Sequence, residues 1–189
     1  MRPLLALATA LVPIFVGFAV PASAAIDVDL SYVNQQSPQF QRFQSYVNRA
    51  VAGNPDYGFS ATDAAYLYRM TGDSQYATLA VQVVDQQVSE AEAAIAAGQN
   101  PDIAGDSYLE VGPDLSDLAL TYDWCSAFTT SSQRSRWSAY AEQALYNVWN
   151  PQEAQWGGRP APWSGWATDD PGDNYFYSFV QATMFWALA

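Results

Sequence analysis

Apolar residues recur every three or four positions through most of the chain, and the breaks between them carry helix-capping chemistry. Ser37-Pro38 supplies an N-cap and a proline at the first helical position, and Phe40, Phe43, Tyr46 and Val47 then define an amphipathic helix ending near Ala52-Gly53. Asn54 to Gly58 is turn sequence. Ser60, with Asp63 three residues on, opens a second helix through Ala64, Ala65, Leu67, Tyr68 and Met70, broken by Thr71-Gly72-Asp73. Ser74 to Ala97 predicts a longer helix with Tyr76, Leu79, Ala80, Val83 and Val84 on one face. Gly98 and Pro101 stop it.

After a linker, Gln99 to Gly112, that contains Asp102, Asp106, Tyr108 and Glu110, a helix is predicted over Leu115 to Phe128, opened by Pro113-Asp114. Thr129 to Ser132 caps another, in which Trp137, Tyr140, Ala141, Ala144, Leu145 and Val148 recur at helical spacing up to Pro151. Trp137 and Tyr140 are accordingly core residues. A loop from Gln152 to Asp173 precedes the last helix, Ser178 to Ala189, which is apolar on nearly every face. Six helical stretches with no strand alternation predict an all-α fold of antiparallel helical hairpins. The last helix needs cover on several sides and stops without a glycine, a basic turn or a polar tail. The chain therefore reads as a piece of a larger helical domain.

The first residues change the picture of where this fold resides. Met1-Arg2, an apolar run from Leu4 to Val20, and Pro21-Ala22-Ser23-Ala24 form an export signal with cleavage expected after Ala24. Residues 25–189 then make one domain, secreted or periplasmic, with no membrane association after cleavage. The formal net charge is −12 and all seven basic residues are arginine, which excludes the positive stripe that nucleic acid requires. Cys125 is the single cysteine and sits in an apolar pattern, so it is expected to be buried. Histidine is absent, which removes a histidine base, a Ser-His-Asp triad and the usual metal-ligand set. The aspartate-rich loops keep calcium open although no EF-hand spacing occurs; no metal-ligating residue is singled out, and no cofactor is expected.

The candidate chemistry lies in Trp163 to Tyr177, W-S-G-W-A-T-D-D-P-G-D-N-Y-F-Y. Indole faces stack on pyranose C–H faces, and Asn, Asp and Tyr side chains supply directional hydrogen bonds to a polysaccharide or oligosaccharide. Trp163, Trp166, Arg159, Asp169 and Asp170 are the candidate substrate-binding residues. Burial of each tryptophan in an aromatic corner is the competing expectation.

Three segments carry a resemblance: Tyr66-x-Tyr68-x-x-Thr71-Gly72-Asp73-x-x-Tyr76, then Asp117-Leu118-Ala119-Leu120-x-Tyr122-Asp123-Trp124, then Asp173-Asn174-Tyr175 opening a helix. Together they resemble the incomplete (α/α) toroid of heparinase II/III-like and alginate-lyase-like polysaccharide lyases. The resemblance implies β-elimination on a uronic acid, which requires donors aimed at the developing charge and a base in reach. It implies that Asn174 neutralises the substrate carboxylate and that Tyr175 or Tyr177 serves as acid or base, with Arg159 as the nearest positive charge. The chain departs from the family pattern in having Asp173 where a second asparagine is common, and in lacking a histidine. Two other functions stay open: an (α/α)-toroid glycoside hydrolase using carboxylates such as Asp106, Glu110, Asp169 and Asp170, and a non-catalytic carbohydrate-binding protein.

Overall fold

A computed structural model describes residues 26–189, so the export signal and its cleavage point lie outside the described residues. The protein is mostly helical. Helices α1 (Pro38–Val51), α2 (Ala61–Thr71) and α3 (Ser74–Ala96) are followed by α4 (Val111–Trp124), α5 (Ser131–Trp149) and α6 (Asn174–Leu188).

The first three helices begin and end where the capping residues place them. Ser37 accepts a hydrogen bond from the Phe40 amide, the Ser60/Asp63 capping box opens α2, and Gly72 ends it in the left-handed conformation. Asp73 then accepts from the Gln75 amide and starts α3, so α2 and α3 form a tight hairpin. Thr130 and Gln133 form a second capping box at α5.

Helix α4 differs from the sequence reading: it starts at Val111 and ends at Trp124, with a separate 3-10 turn over Ser126–Phe128. Pro113 is the third helical residue rather than a boundary. The first four amides of a helix have no partner inside it, so a proline there costs no hydrogen bond.

The motif around α4 ties the frame together. Asp117 accepts from the Ser60 hydroxyl (3.0 Å) and the Thr62 amide (3.0 Å), fastening the start of α2 from more than fifty residues away. Trp124 meets Tyr66 edge-on, with ring centroids 4.9 Å apart. Tyr122 packs on Trp186 of α6 and lies under the Arg134 guanidinium, 3.6 Å from ring centroid to Cζ. The segment before α1 is fixed to the end of α4: the Ile26 amide donates to Asp123 Oδ2 (2.7 Å), and the Trp124 indole donates to the Ile26 carbonyl (2.7 Å).

Helices α4 and α6 run parallel, since Gly112 meets Ser178 at one end and Tyr122 meets Trp186 at the other. Gly112 permits the approach: a Cβ there would lie 2.7 Å from Ser178 Oγ and 2.8 Å from the Ser178 carbonyl oxygen. The core includes Leu67, Tyr76, Val84, Leu115, Leu118, Trp137 and Phe179, all essentially inaccessible to water. Each contributes about 1.5–3 kcal/mol through burial. Cys125 is buried as expected, and burial pushes its thiol up to about 12.

The segment read as a loop from Gln152 contains a small antiparallel hairpin, β1 (Gln155–Trp156) and β2 (Arg159–Pro160). Gly157 and Gly158 both have positive φ, as a two-residue hairpin turn demands. Asn147, fully buried in α5, holds it by accepting from the Gln155 amide (2.9 Å) and donating to the Gln155 carbonyl (2.8 Å). Trp-Gly-Gly-Arg was the available sequence signal.

Candidate functional site

Two connections, residues 99–110 and 150–173, meet where α4 and α6 begin. Three contacts join them or the start of α6. Arg159 donates to Asn100 Oδ1 (2.7 Å), the rings of Tyr108 and Trp163 lie 5.1 Å apart, and the Tyr175 hydroxyl donates to Asp106 Oδ1 (3.0 Å). Of the candidate residues, Arg159, Trp163 and Tyr175 thereby contact the acidic linker.

The linker takes a costly route to this position. Asp106, Ser107 and Tyr108 have φ of 40°, 54° and 63°, three successive non-glycine residues in the left-handed region. Each such residue costs about 1–2 kcal/mol. Tyr108 is only 1% exposed, so its anchoring against Trp163 holds the turn in place. Strain held by surrounding packing in this way is characteristic of ligand sites and switch regions.

At the start of α6, Asp173 rather than Asn174 is the N-cap and accepts from the Tyr175 amide (2.9 Å). Asn174 is the first helical residue and is exposed, leaving its side-chain amide available beside the positive end of the helix. Tyr177, three residues on, is 64% exposed. The Tyr175 phenol is shifted up, first by its hydrogen bond to Asp106, then by desolvation and by the charges of Asp106 and Asp173. It therefore holds its proton, as suits an acid rather than a base.

The two loop tryptophans have different settings. Trp163 is half-buried: its indole donates to the Asn147 carbonyl (2.8 Å) and its ring packs on Tyr108 and Phe179. Trp166 is 57% exposed and keeps an accessible face. Asp169 and Asp170 are both exposed, and Asp170 accepts from the Gly172 amide, shaping the turn into α6. Arg159 is engaged with an amide, Asn100, rather than with a carboxylate.

A feature beyond the candidate residues is Asp114, in the first turn of α4. Its carboxyl is pushed up to about 7, mainly by desolvation, with further repulsion from Asp117, Glu110 and Asp102. It lines a cavity of about 90 Å³ with Asp102, Glu90 and Tyr140. Glu110, Asp114 and Asp117 stand at i, i+4 and i+7, so the like-charge helix face was visible in the sequence. Among the described residues, no group of three or more His, Cys, Asp or Glu side chains is arranged to hold a metal ion. No described helix is long and apolar enough to cross a membrane.

Comparison of the chain with protein-family models, with curated proteins and with solved structures returns no match.

Proposed function

We propose that this protein is an exported polysaccharide lyase, built on a frame of the incomplete (α/α)-toroid type, that cleaves a uronic-acid-containing glycan by β-elimination. The observation carrying this reading is the Tyr175–Asp106 hydrogen bond, which sets a protonated phenol beside the exposed Asn174 at the start of α6.

In this reading the Asn174 amide donates to the uronate carboxylate, aided by the positive end of the helix, and lowers the cost of negative charge building at C5. Tyr177, exposed three residues further along α6, is the candidate base for the C5 proton. The C5–H electron pair becomes the new C4–C5 double bond as the C4–O bond breaks, and Tyr175 gives its proton to the departing oxygen. Trp166 offers a face for a neighbouring sugar ring. Asp106 and Asp173 oppose a polyanion at this site, so the local donors must outweigh them.

A glycoside hydrolase is the second reading, favoured by the acidic character of this end and by the Asp114 carboxyl that keeps its proton to about 7. Product chemistry separates them. Incubation with uronate polysaccharides should generate an unsaturated uronate absorbing in the near ultraviolet, whereas a hydrolase yields only new reducing ends and a binding protein leaves the polymer intact. Asn174→Ala should lower the elimination rate by about 10²-fold or more without changing the melting temperature, because the side chain is exposed. An Asn174→Ala protein of full activity would remove the assigned role.

A further inference from the structure

Asp114, Asp102 and Glu90 line one small cavity from three different parts of the chain: α4, the connection after α3, and α3 itself. None of the three is in an ion pair among the described residues. Glu90 and Asp102 are exposed, whereas Asp114 is half-buried, and Arg136, one turn before Tyr140 on α5, is already spanned between Asp85 and Glu92. A second observation points to a ligand rather than to a solvated acidic face. Tyr140 lines the same cavity and is only 6% exposed, yet its hydroxyl makes no hydrogen bond among the described residues. Burial raises its phenol, and the charges of Asp114 and Asp102 raise it further, which sets the hydroxyl end toward those carboxylates. Buried hydroxyls ordinarily have a partner.

We propose that this cavity is a binding site for a primary ammonium group on a short alkyl stem, its N–H donors shared among Asp114, Asp102 and the Tyr140 oxygen. An ammonium carries three donors on one compact centre, which matches acceptors supplied from several elements. The cavity, about 90 Å³, admits a few water-sized groups and is far below the ~300 Å³ and more of a pocket for a drug-sized ligand. Among the described residues no group of three or more His, Cys, Asp or Glu is arranged to hold a metal ion, so the carboxylates suit a hydrogen-bonding cation better than a coordinated one. Ala91, Ala94 and Ile103 offer apolar surface for the stem. Asp114 faces Glu110 and Asp117 on its own helix, Asp102 on the connection, Glu90 on α3 and the Tyr140 phenol on α5. Desolvation first, then repulsion from Asp117, Glu110 and Asp102, pushes its carboxyl up to about 7, so below that pH a bound cation must displace a proton. Affinity therefore rises with pH to about 7 and is level from there to about 9, where an alkylamine is still charged. The site is independent of the lyase chemistry, and its occupancy ionises the carboxyl that the hydrolase reading keeps protonated.

The test sets ethylammonium chloride against sodium chloride at equal ionic strength, with ethanol and tetramethylammonium as probes that lack the charge and the N–H donors respectively. A ligand of three non-hydrogen atoms reaches a Kd of about 1 mM at best, so it is used at about 100 mM. At pH 8 ethylammonium should raise the melting temperature of the full chain by about 2–5 °C over sodium, and neither of the other probes should. Titration of this shift should show affinity about tenfold or more weaker at pH 5 than at pH 8. Asp114→Asn should remove the shift, and Tyr140→Phe should weaken binding by about three- to tenfold while the pH midpoint stays near 7. Equal protection by sodium would reduce the effect to screening of the acidic residues. That result, equal protection by ethanol or tetramethylammonium, or a shift retained in Asp114→Asn would each overturn the site. Asp114→Asn removes a half-buried charge at constant size, so its folding is expected to survive; should Tyr140→Phe fail to fold, the Asp114→Asn comparison decides alone.

Discussion

The helical frame and the loop end treat their acidic residues in opposite ways. In the frame, Arg136 spans Asp85 (3.0 Å) and Glu92 (2.6 Å), Arg49 pairs with Asp56, and Asp117 is satisfied by the start of α2. At the loop end Asp102 and Glu110 act on the Asp114 carboxyl at the start of α4, and the guanidinium that these connections carry, that of Arg159, donates to Asn100. Three left-handed residues add strain in the same place. The difference indicates that the frame supplies stability while the loop end consumes some of it, the division expected when a site requires charges and backbone shapes that folding alone would not select.

Removing one of the concentrated charges gives the largest expected effect. Burial pushes the folded Asp114 carboxyl up to about 7, against about 4 in an unfolded chain, so the folded state carries the extra proton between those values. Stability must then fall as pH rises from about 4 to 7 and level off above. Asp114→Asn should flatten this fall, a relative gain on the order of 4 kcal/mol above pH 7. Urea unfolding from pH 4 to 8 measures it. An unchanged slope in the variant would show that the loop end stores no such repulsion and would weaken the contrast.

Gly112 tests the boundary between the two regions. Alanine there would press on Ser178 Oγ at 2.7 Å and on the Ser178 backbone at 2.8 Å, so α6 must move away from α4. The expected loss is about 2–3 kcal/mol. Because Asn174 and Tyr175 open the displaced helix, product formation per folded molecule should fall as well. Loss of stability with unaltered activity would mean that the start of α6 does not position the chemistry.

Local sequence signals carried most of the frame and little of the site. Ser37, Ser60 with Asp63, Gly72, Asp73 and Thr130 each act on backbone within a few residues, so their effect is legible without knowing the fold. The start of α4 was less legible because a proline in the first turn can mark a boundary or belong to the helix. At the loop end, Trp163 and Trp166 have the same chemistry in the sequence, and only packing against Tyr108 and Phe179 separates the half-buried ring from the exposed one. The Tyr175–Asp106 bond joins residues 69 positions apart, a pairing that no local pattern encodes.

Asp117 provides the finest test because it belongs to a segment on which the proposed lyase reading rests, yet its observed contacts are all structural. Its carboxylate accepts from the Ser60 hydroxyl and from the Ala61 and Thr62 amides, satisfying orphan donors at the start of α2. Asp117→Ala should cost about 1–2 kcal/mol by chemical denaturation, the usual worth of an N-capping side chain. The cost should be smaller above pH 7, where removal of its charge also relieves the ionised Asp114. Elimination activity per folded molecule should stay unchanged. A fall in activity with folding intact would show that the motif reaches the chemistry through α4, and the separation between a stabilising frame and a strained loop end would have to be redrawn along that helix.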